Sequence, residues 1–179
     1  MRKGKKGLNF PFLFAIISGD CCIKRLFAKF PEFFTAEGAG PMKNILFVCT
    51  GNTCRSPMAE GLFRRMAPEG AYSVSSAGVF ARKDDPASEE AVAVMAEKGI
   101  DLSGHRARLL TCEMVDQADL ICCMTPTHAA RLLGAFPQGE EKLLVWNIPD
   151  PFGGDDEIYR ACARHLEEQV KTLLADLEA

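Results

Sequence analysis

Four consecutive apolar residues, Ile45-Leu46-Phe47-Val48, run straight into Cys49-Thr50-Gly51-Asn52-Thr53-Cys54-Arg55-Ser56 and then into Pro57 through Met66. The apolar run reads as a strand buried on both faces, and the segment from Pro57 reads as a helix. A short loop between such elements is the opening unit of a parallel α/β sheet. It also builds an anion site. A helix start leaves amides without partners, and the helix dipole adds partial positive charge there.

The residue types in this loop suit a phosphoryl group. Gly51 and Asn52 tolerate unusual backbone angles, so both are expected to curl amides inward as a nest. Arg55 adds a planar fork that matches two phosphate oxygens. Cys49 lies at the bottom of the positive cup, whose field is expected to lower its thiol pKa. The Ser56 hydroxyl can donate a hydrogen bond to that sulfur. The implied chemistry is in-line attack of sulfur on phosphorus, giving a phosphocysteine that water hydrolyses. Thr50, Gly51, Asn52, Thr53 and Cys54 are the candidate phosphate-binding positions.

Displacement at phosphorus also needs an acid for the leaving group. Ile148-Pro149-Asp150-Pro151-Phe152-Gly153-Gly154 offers one. It follows Lys142–Trp146, the expected last strand, and two prolines hold Asp150 in an extended loop. Loops after parallel strands share one rim, which brings Asp150 to face Cys49, with Phe152 as a wall of the cleft.

The other segments continue the alternation. Tyr72–Ser76 reads as a second strand, with Ser75 and Ser76 as loop supports. Arg82–Pro86 is a turn. Pro86 and Ser88 open a helix through Lys98, whose Ala91, Val92, Val94 and Met95 are expected to face the sheet. His105 and its basic neighbours read as surface residues with local packing, with contact to substrate as the alternative. Thr111 caps a short helix. Ala118–Met124 is a third strand, in which the adjacent Cys122 and Cys123 point to opposite faces. Pro126 lies in the first turn of the next helix, and His128 falls near the rim without an assigned role. A last helix starts near Asp155-Asp156 and turns Ala161, Leu166, Val170, Leu173 and Leu174 inward.

These motifs resemble the low-molecular-weight protein tyrosine phosphatase family. The Cys-x-Gly-Asn-x-Cys-Arg-Ser-Pro loop, the late Asp150-Pro151 pair and Ser75-Ser76-Ala77-Gly78 carry the resemblance, which runs from Met42 to the C-terminus. It implies a flavodoxin-like three-layer α/β fold with a four-stranded parallel sheet in the order 2-1-3-4 and helices on both faces. It also implies Cys49 as nucleophile, Arg55 as phosphate clamp, Ser56 as donor to the thiolate, Asn52 as loop organiser and Asp150 as general acid. Cys54 becomes a second loop thiol able to form a reversible disulfide with Cys49. Two positions depart from the tyrosine-directed pattern: Thr53 replaces a larger aliphatic residue, and Phe152 replaces an aromatic hydroxyl. Both are similar to the bacterial protein arginine phosphatase branch. Thr53 leaves room for a phosphoguanidinium and can orient water, while the Phe152 ring suits a planar cation. Phosphoarginine in proteins is thus the expected substrate, with phosphotyrosine the alternative.

Composition bounds the rest. A length of 179 residues fits one domain. Residues 1–41 hold seven Lys/Arg against three Asp/Glu, and the remainder holds 14 against 21. The acidic body argues against nucleic-acid binding. The eight cysteines (Cys21, Cys22, Cys49, Cys54, Cys112, Cys122, Cys123, Cys162) are irregularly spaced and lack a Cys-x-x-Cys pair, which fits a reduced cytoplasmic protein. The expectation is a monomer acting on phosphorylated proteins, with no metal, no organic cofactor and no stable membrane span. The basic and apolar start, Met1 to Ile17, superficially resembles a signal segment. The expected reading of residues 1–41 is instead a disordered or misannotated extension, with the phosphatase domain over 42–179. A thiol-dependent arsenate reductase on the same scaffold is the remote rival, relaying electrons through Cys112 and Cys122.

Overall fold

The structure is a computed structural model that describes residues 42–178. The expected extension over 1–41, with Cys21 and Cys22, lies outside the described residues. Among the described residues, ten elements follow one another. β1 (Lys43–Cys49), α1 (Arg55–Met66) and β2 (Tyr72–Gly78) come first, then α2 (Glu89–Glu97), α3 (Cys112–Gln117) and β3 (Leu120–Cys123). The chain ends with α4 (Pro126–Ala135), a 3-10 turn (Pro137–Lys142), β4 (Leu143–Val145) and α5 (Asp156–Leu177). All four strands are parallel, in the order β2-β1-β3-β4.

The strand periodicity sorts side chains into two cores. Ile45 and Phe47 of β1 join Cys122 and Leu144 beneath α1, α2 and α5. Leu46 and Val48 join Ile121 and Cys123 beneath α3 and α4. The neighbouring Cys122 and Cys123 fall into different cores, as strand alternation requires. Phe47 stacks near Trp146 and Phe63 at centroid distances of 5.5 and 5.8 Å, tying β1 to α1 and to the exit of β4.

Helix starts follow the polar residues that precede them. Ser88 accepts from the Ala91 amide, Thr111 from that of Met114, and Asp155 from that of Ile158. Three expectations are corrected. Ala161 is exposed, and Cys162 and Ala163 take its inward place, so the buried stripe of α5 sits slightly further round the helix. The apolar face of α2 packs on α5 rather than on the sheet. β3 and β4 are shorter than Ala118–Met124 and Lys142–Trp146, although ladder-like bonds continue past them: Trp146 N–H donates to Cys123 O at 2.8 Å and Ile148 N–H to Met124 O at 2.9 Å.

Register then sets the rim. Cys49 pairs opposite Gly78, and Val48 opposite Cys123, so the loops leaving β1, β2 and β3 emerge side by side. A Cβ added at Gly78 would lie 2.4 Å from Thr50 O and 2.9 Å from Asn52 N. Only glycine lets the loop after β1 lie this close to β2.

Candidate active site

The loop from Cys49 to Ser56 turns on a single left-handed residue, Asn52, at φ 56°. Gly51 does not share that conformation, and an added Cβ there would make only an ordinary 3.4 Å contact with Thr53 Oγ1. The curl expected from both residues is therefore carried by Asn52. A short polar side chain tolerates this region by bonding locally. Asn52 is fully buried, and its Nδ2 donates to Ser56 Oγ at 2.9 Å and Ser76 Oγ at 2.8 Å. Its Oδ1 accepts from the Arg108 amide at 2.9 Å. Ser76 Oγ donates to Glu60 Oε2 at 2.6 Å, which confirms this serine as a loop support.

This network aims donors at Cys49. Its sulfur lies 3.0 Å from Ser56 Oγ and 3.3 Å from the Asn52 amide nitrogen that donates to it. α1 begins immediately afterwards with no side-chain cap, so its first amides stay directed at the loop. The thiol pKa departs from expectation. Burial is the largest influence and raises it, while the Ser56 hydroxyl, the Ser56 and Asn52 amides and Arg55 act to lower it.

Arg55 is buried behind the loop. Its Nη2 meets Asp150 Oδ2 at 2.5 Å, and Nη1 donates to Ile148 O at 3.3 Å. Its Nε is buried without a hydrogen-bond partner among the described residues. Asp150 is half exposed in this pair, and its Oδ1 accepts from the Phe152 amide at 3.2 Å. The Cys49 loop and the Asp150 loop are thus brought together as expected. The Phe152 ring is 79% exposed and stands at the edge rather than packed as a closed wall.

The remaining loop residues acquire partners. Thr50 Oγ1 lies 2.8 Å from His128 Nε2, and Thr53 O accepts from the Ser88 amide at 2.9 Å. Cys54 is buried, with its sulfur 3.3 Å from Tyr159 Oη and 3.4 Å from Ser88 Oγ.

Residues distant in sequence complete the site without a role foreseen for them. His128 is buried between Thr50 and Thr125, its Nδ1 being 2.8 Å from Thr125 Oγ1. Burial first, then the nearby Arg55, lowers its pKa to about 4. His105, expected to be a surface residue, places Nε2 2.7 Å from Asn52 O and braces the loop from below. Tyr159 reaches Cys54 from α5. The Ser-rich strand end was a signal for Ser76, but no local pattern marked His105, His128 or Tyr159 as loop partners.

Among the described residues no group of three or more His, Cys, Asp and Glu is arranged to hold a metal ion, and no helix is long and apolar enough to cross a membrane. Cys112 is exposed at the start of α3 while Cys122 is fully buried in β3. That arrangement suits no mobile pair of relay thiols.

Residues 44–179 match the sequence model described as low molecular weight phosphotyrosine protein phosphatase. A protein-arginine-phosphatase of Geobacillus stearothermophilus is 41% identical over 143 residues, covering 75% of this chain and 95% of its own. The tyrosine phosphatase Wzb from Escherichia coli K30, solved with sulphate, superposes with a TM-score of 0.72 at 34% identity, covering 76% of this chain and 99% of that one. A mutant of the YwlE arginine phosphatase with a phosphorylated active-site serine also has a TM-score of 0.72, at 38% identity, covering 75% of this chain and 95% of that one.

Proposed function

The chain belongs to the low molecular weight phosphotyrosine protein phosphatase family, and from that premise we propose that residues 42–179 hydrolyse phosphoarginine in proteins through a phosphocysteine at Cys49. The observation that carries this reading is the convergence on one sulfur of the Ser56 hydroxyl, the Asn52 amide and an uncapped helix start, with Arg55 and Asp150 paired beside it.

The steps follow from this geometry. The phosphoryl oxygens take the loop amides and Arg55, whose partnerless Nε supports an anion as the missing acceptor. Arg55 then exchanges the Asp150 carboxylate for the phosphate, and Asp150 becomes available to the leaving group. Asp150, released from Arg55, takes up a proton from solvent; Cys49 sulfur then forms a bond to phosphorus as the P–N bond breaks, and Asp150 gives that proton to the departing guanidine nitrogen. Water attacks the phosphocysteine with its proton passing to Asp150, the P–S bond breaks, and phosphate leaves with the thiolate restored. Asn52, Glu60 and Ser76 act at a distance by holding the loop.

Arginine over tyrosine is supported by the similarity to the G. stearothermophilus protein-arginine-phosphatase and by Thr53 and Phe152. Thr53 is half buried in the loop, and the exposed Phe152 ring offers a face to a planar guanidinium. We further propose a monomer in a reducing cytoplasm, supported by six unpaired cysteines among the described residues. Cys49 and Cys54 are proposed as a reversible disulfide that protects the nucleophile, and thiol rescue of peroxide-treated protein checks it.

A substrate panel with reduced protein tests the main reading. Phosphoarginine peptides are expected to show a larger kcat/KM than phosphotyrosine peptides, with Cys49→Ser inactive on both. Faster phosphotyrosine turnover would end the arginine reading. Turnover of neither would end the phosphatase reading.

A further inference from the structure

We infer that Arg131, stacked on Phe80 at the mouth of the pocket, is a specificity-determining residue that receives an acidic side chain of the protein substrate next to the phosphorylated residue. The inference rests on the phosphatase reading above and adds a requirement on substrate sequence.

Both members of the stack are tied to the nucleophile loop. The Val79 amide donates to Cys49 O at 3.0 Å and the Phe80 amide to Thr50 O at 2.9 Å, so Phe80 stands directly beside the first loop residues. From the other side, α4 is held to Thr50 through His128, at 2.8 Å. Arg131 lies three residues further along α4, on the same helix face as His128. Its Cζ sits 4.4 Å from the Phe80 ring centroid. Neither loop nor helix has to move to present this pair at the mouth.

The stack also prepares the cation for a carboxylate. A guanidinium held over a ring face by its central carbon keeps N–H donors at its edge for an acceptor. That edge fits a carboxylate by two parallel bonds. Holding the side chain against Phe80 reduces the ordering cost that makes most exposed pairs weak. Arg131 is exposed and makes no ion pair among the described residues. Arg55 nearby faces Asp150, and Arg82 in the adjoining loop faces Asp85 at 3.5 Å. Residues 42–179 hold 14 Lys/Arg against 21 Asp/Glu, so an acidic segment meets repulsion over much of the body. Arg131 offers it local attraction at the entrance.

The test uses pairs of phosphorylated peptides identical except for Glu or Lys at the positions flanking the phosphoresidue. The quantity read is the ratio of kcat/KM for the Glu peptide to that for the Lys peptide, taken within each enzyme so that overall changes in turnover cancel. The wild-type ratio is expected to be about fivefold or more, the upper range of an exposed ion pair. Arg131→Ala should bring it near one, Arg131→Glu should place it below one, and Phe80→Ala should lower it while leaving the charge in place. A wild-type ratio near one, or a ratio that Arg131→Ala leaves unchanged, overturns the inference. Peptides are made with phosphoarginine and with phosphotyrosine. Loss of the arginine reading alone therefore leaves the ratio measurable on phosphotyrosine, and loss of the charge preference leaves turnover itself intact.

Discussion

The two loops that meet at the rim are built in opposite ways. The segment from Cys49 to Ser56 is largely buried and cross-braced from four directions, by Ser76 of β2, His105 and Arg108 of the connection between α2 and α3, His128 of α4, and Tyr159 of α5. The segment from Ile148 to Gly154 is largely exposed. It is anchored by the Ile148 amide at one end and a turn bond from Gly154 N–H to Pro151 O at the other, with Gly153 at φ 78°. Between the anchors, Asp150 is held by Arg55 and by the Phe152 amide. The contrast teaches where precision is needed. Donors aimed at developing charge act only if they do not reorganise, whereas an acid must reach a leaving group that arrives with the substrate.

If the buried loop carries more of the catalysis, Arg55→Lys should do the most damage. A point charge cannot reproduce the fork, and kcat is expected to fall about a thousandfold. Asp150→Asn should follow, with kcat reduced about a hundredfold on a poor leaving group and less on 4-nitrophenyl phosphate, whose departure needs little acid help. A loss that ignores the leaving group would break the assignment of this loop as the acid loop. Ser56→Ala should cost about tenfold in kcat, the worth of one hydrogen bond to a charged group. The same change removes a donor that lowers the Cys49 pKa, so the pH profile of thiol alkylation should move upward.

The smallest effect sharpens the contrast through stability. His128 has a pKa lowered to about 4 from an ordinary 6.5, so the unfolded chain binds more protons between those values. Its contribution to stability is present above pH 6.5 and is lost as pH falls toward 4. His128→Gln should flatten the pH dependence of Tm across that window.

Local rules made much of this legible. The apolar run, the Cys49–Ser56 spacing and the polar residues before each helix led directly to β1, α1 and the capped starts of α2, α3 and α5. The two prolines around Asp150 marked the second loop of the rim. What stayed hidden depends on packing between distant segments. His105 and Asn52 are 53 residues apart, Thr50 and His128 are 78 apart, and Cys54 and Tyr159 are 105 apart. No spacing rule links residues at such separations. The Cys49 thiol failed for a related reason. The nearby donors were evident in the motif, but the depth of burial that outweighs them comes from α1, α2 and α5 closing over one face of the sheet. Ala161 shows the limit of helical periodicity: a small residue one position out of phase carries too little apolar surface to fix which side turns inward.

Gly78 shows how narrow the tolerance of this arrangement is. It has no chemical group to contribute, yet a single methyl there would push on Thr50 and Asn52 of the Cys49 loop at once. A side chain's worth of emptiness at the tip of the neighbouring strand is therefore as much a component of the pocket as any donor in it. Gly78→Ala would disturb reactivity with every charged and hydroxylated residue of the pocket still in the chain.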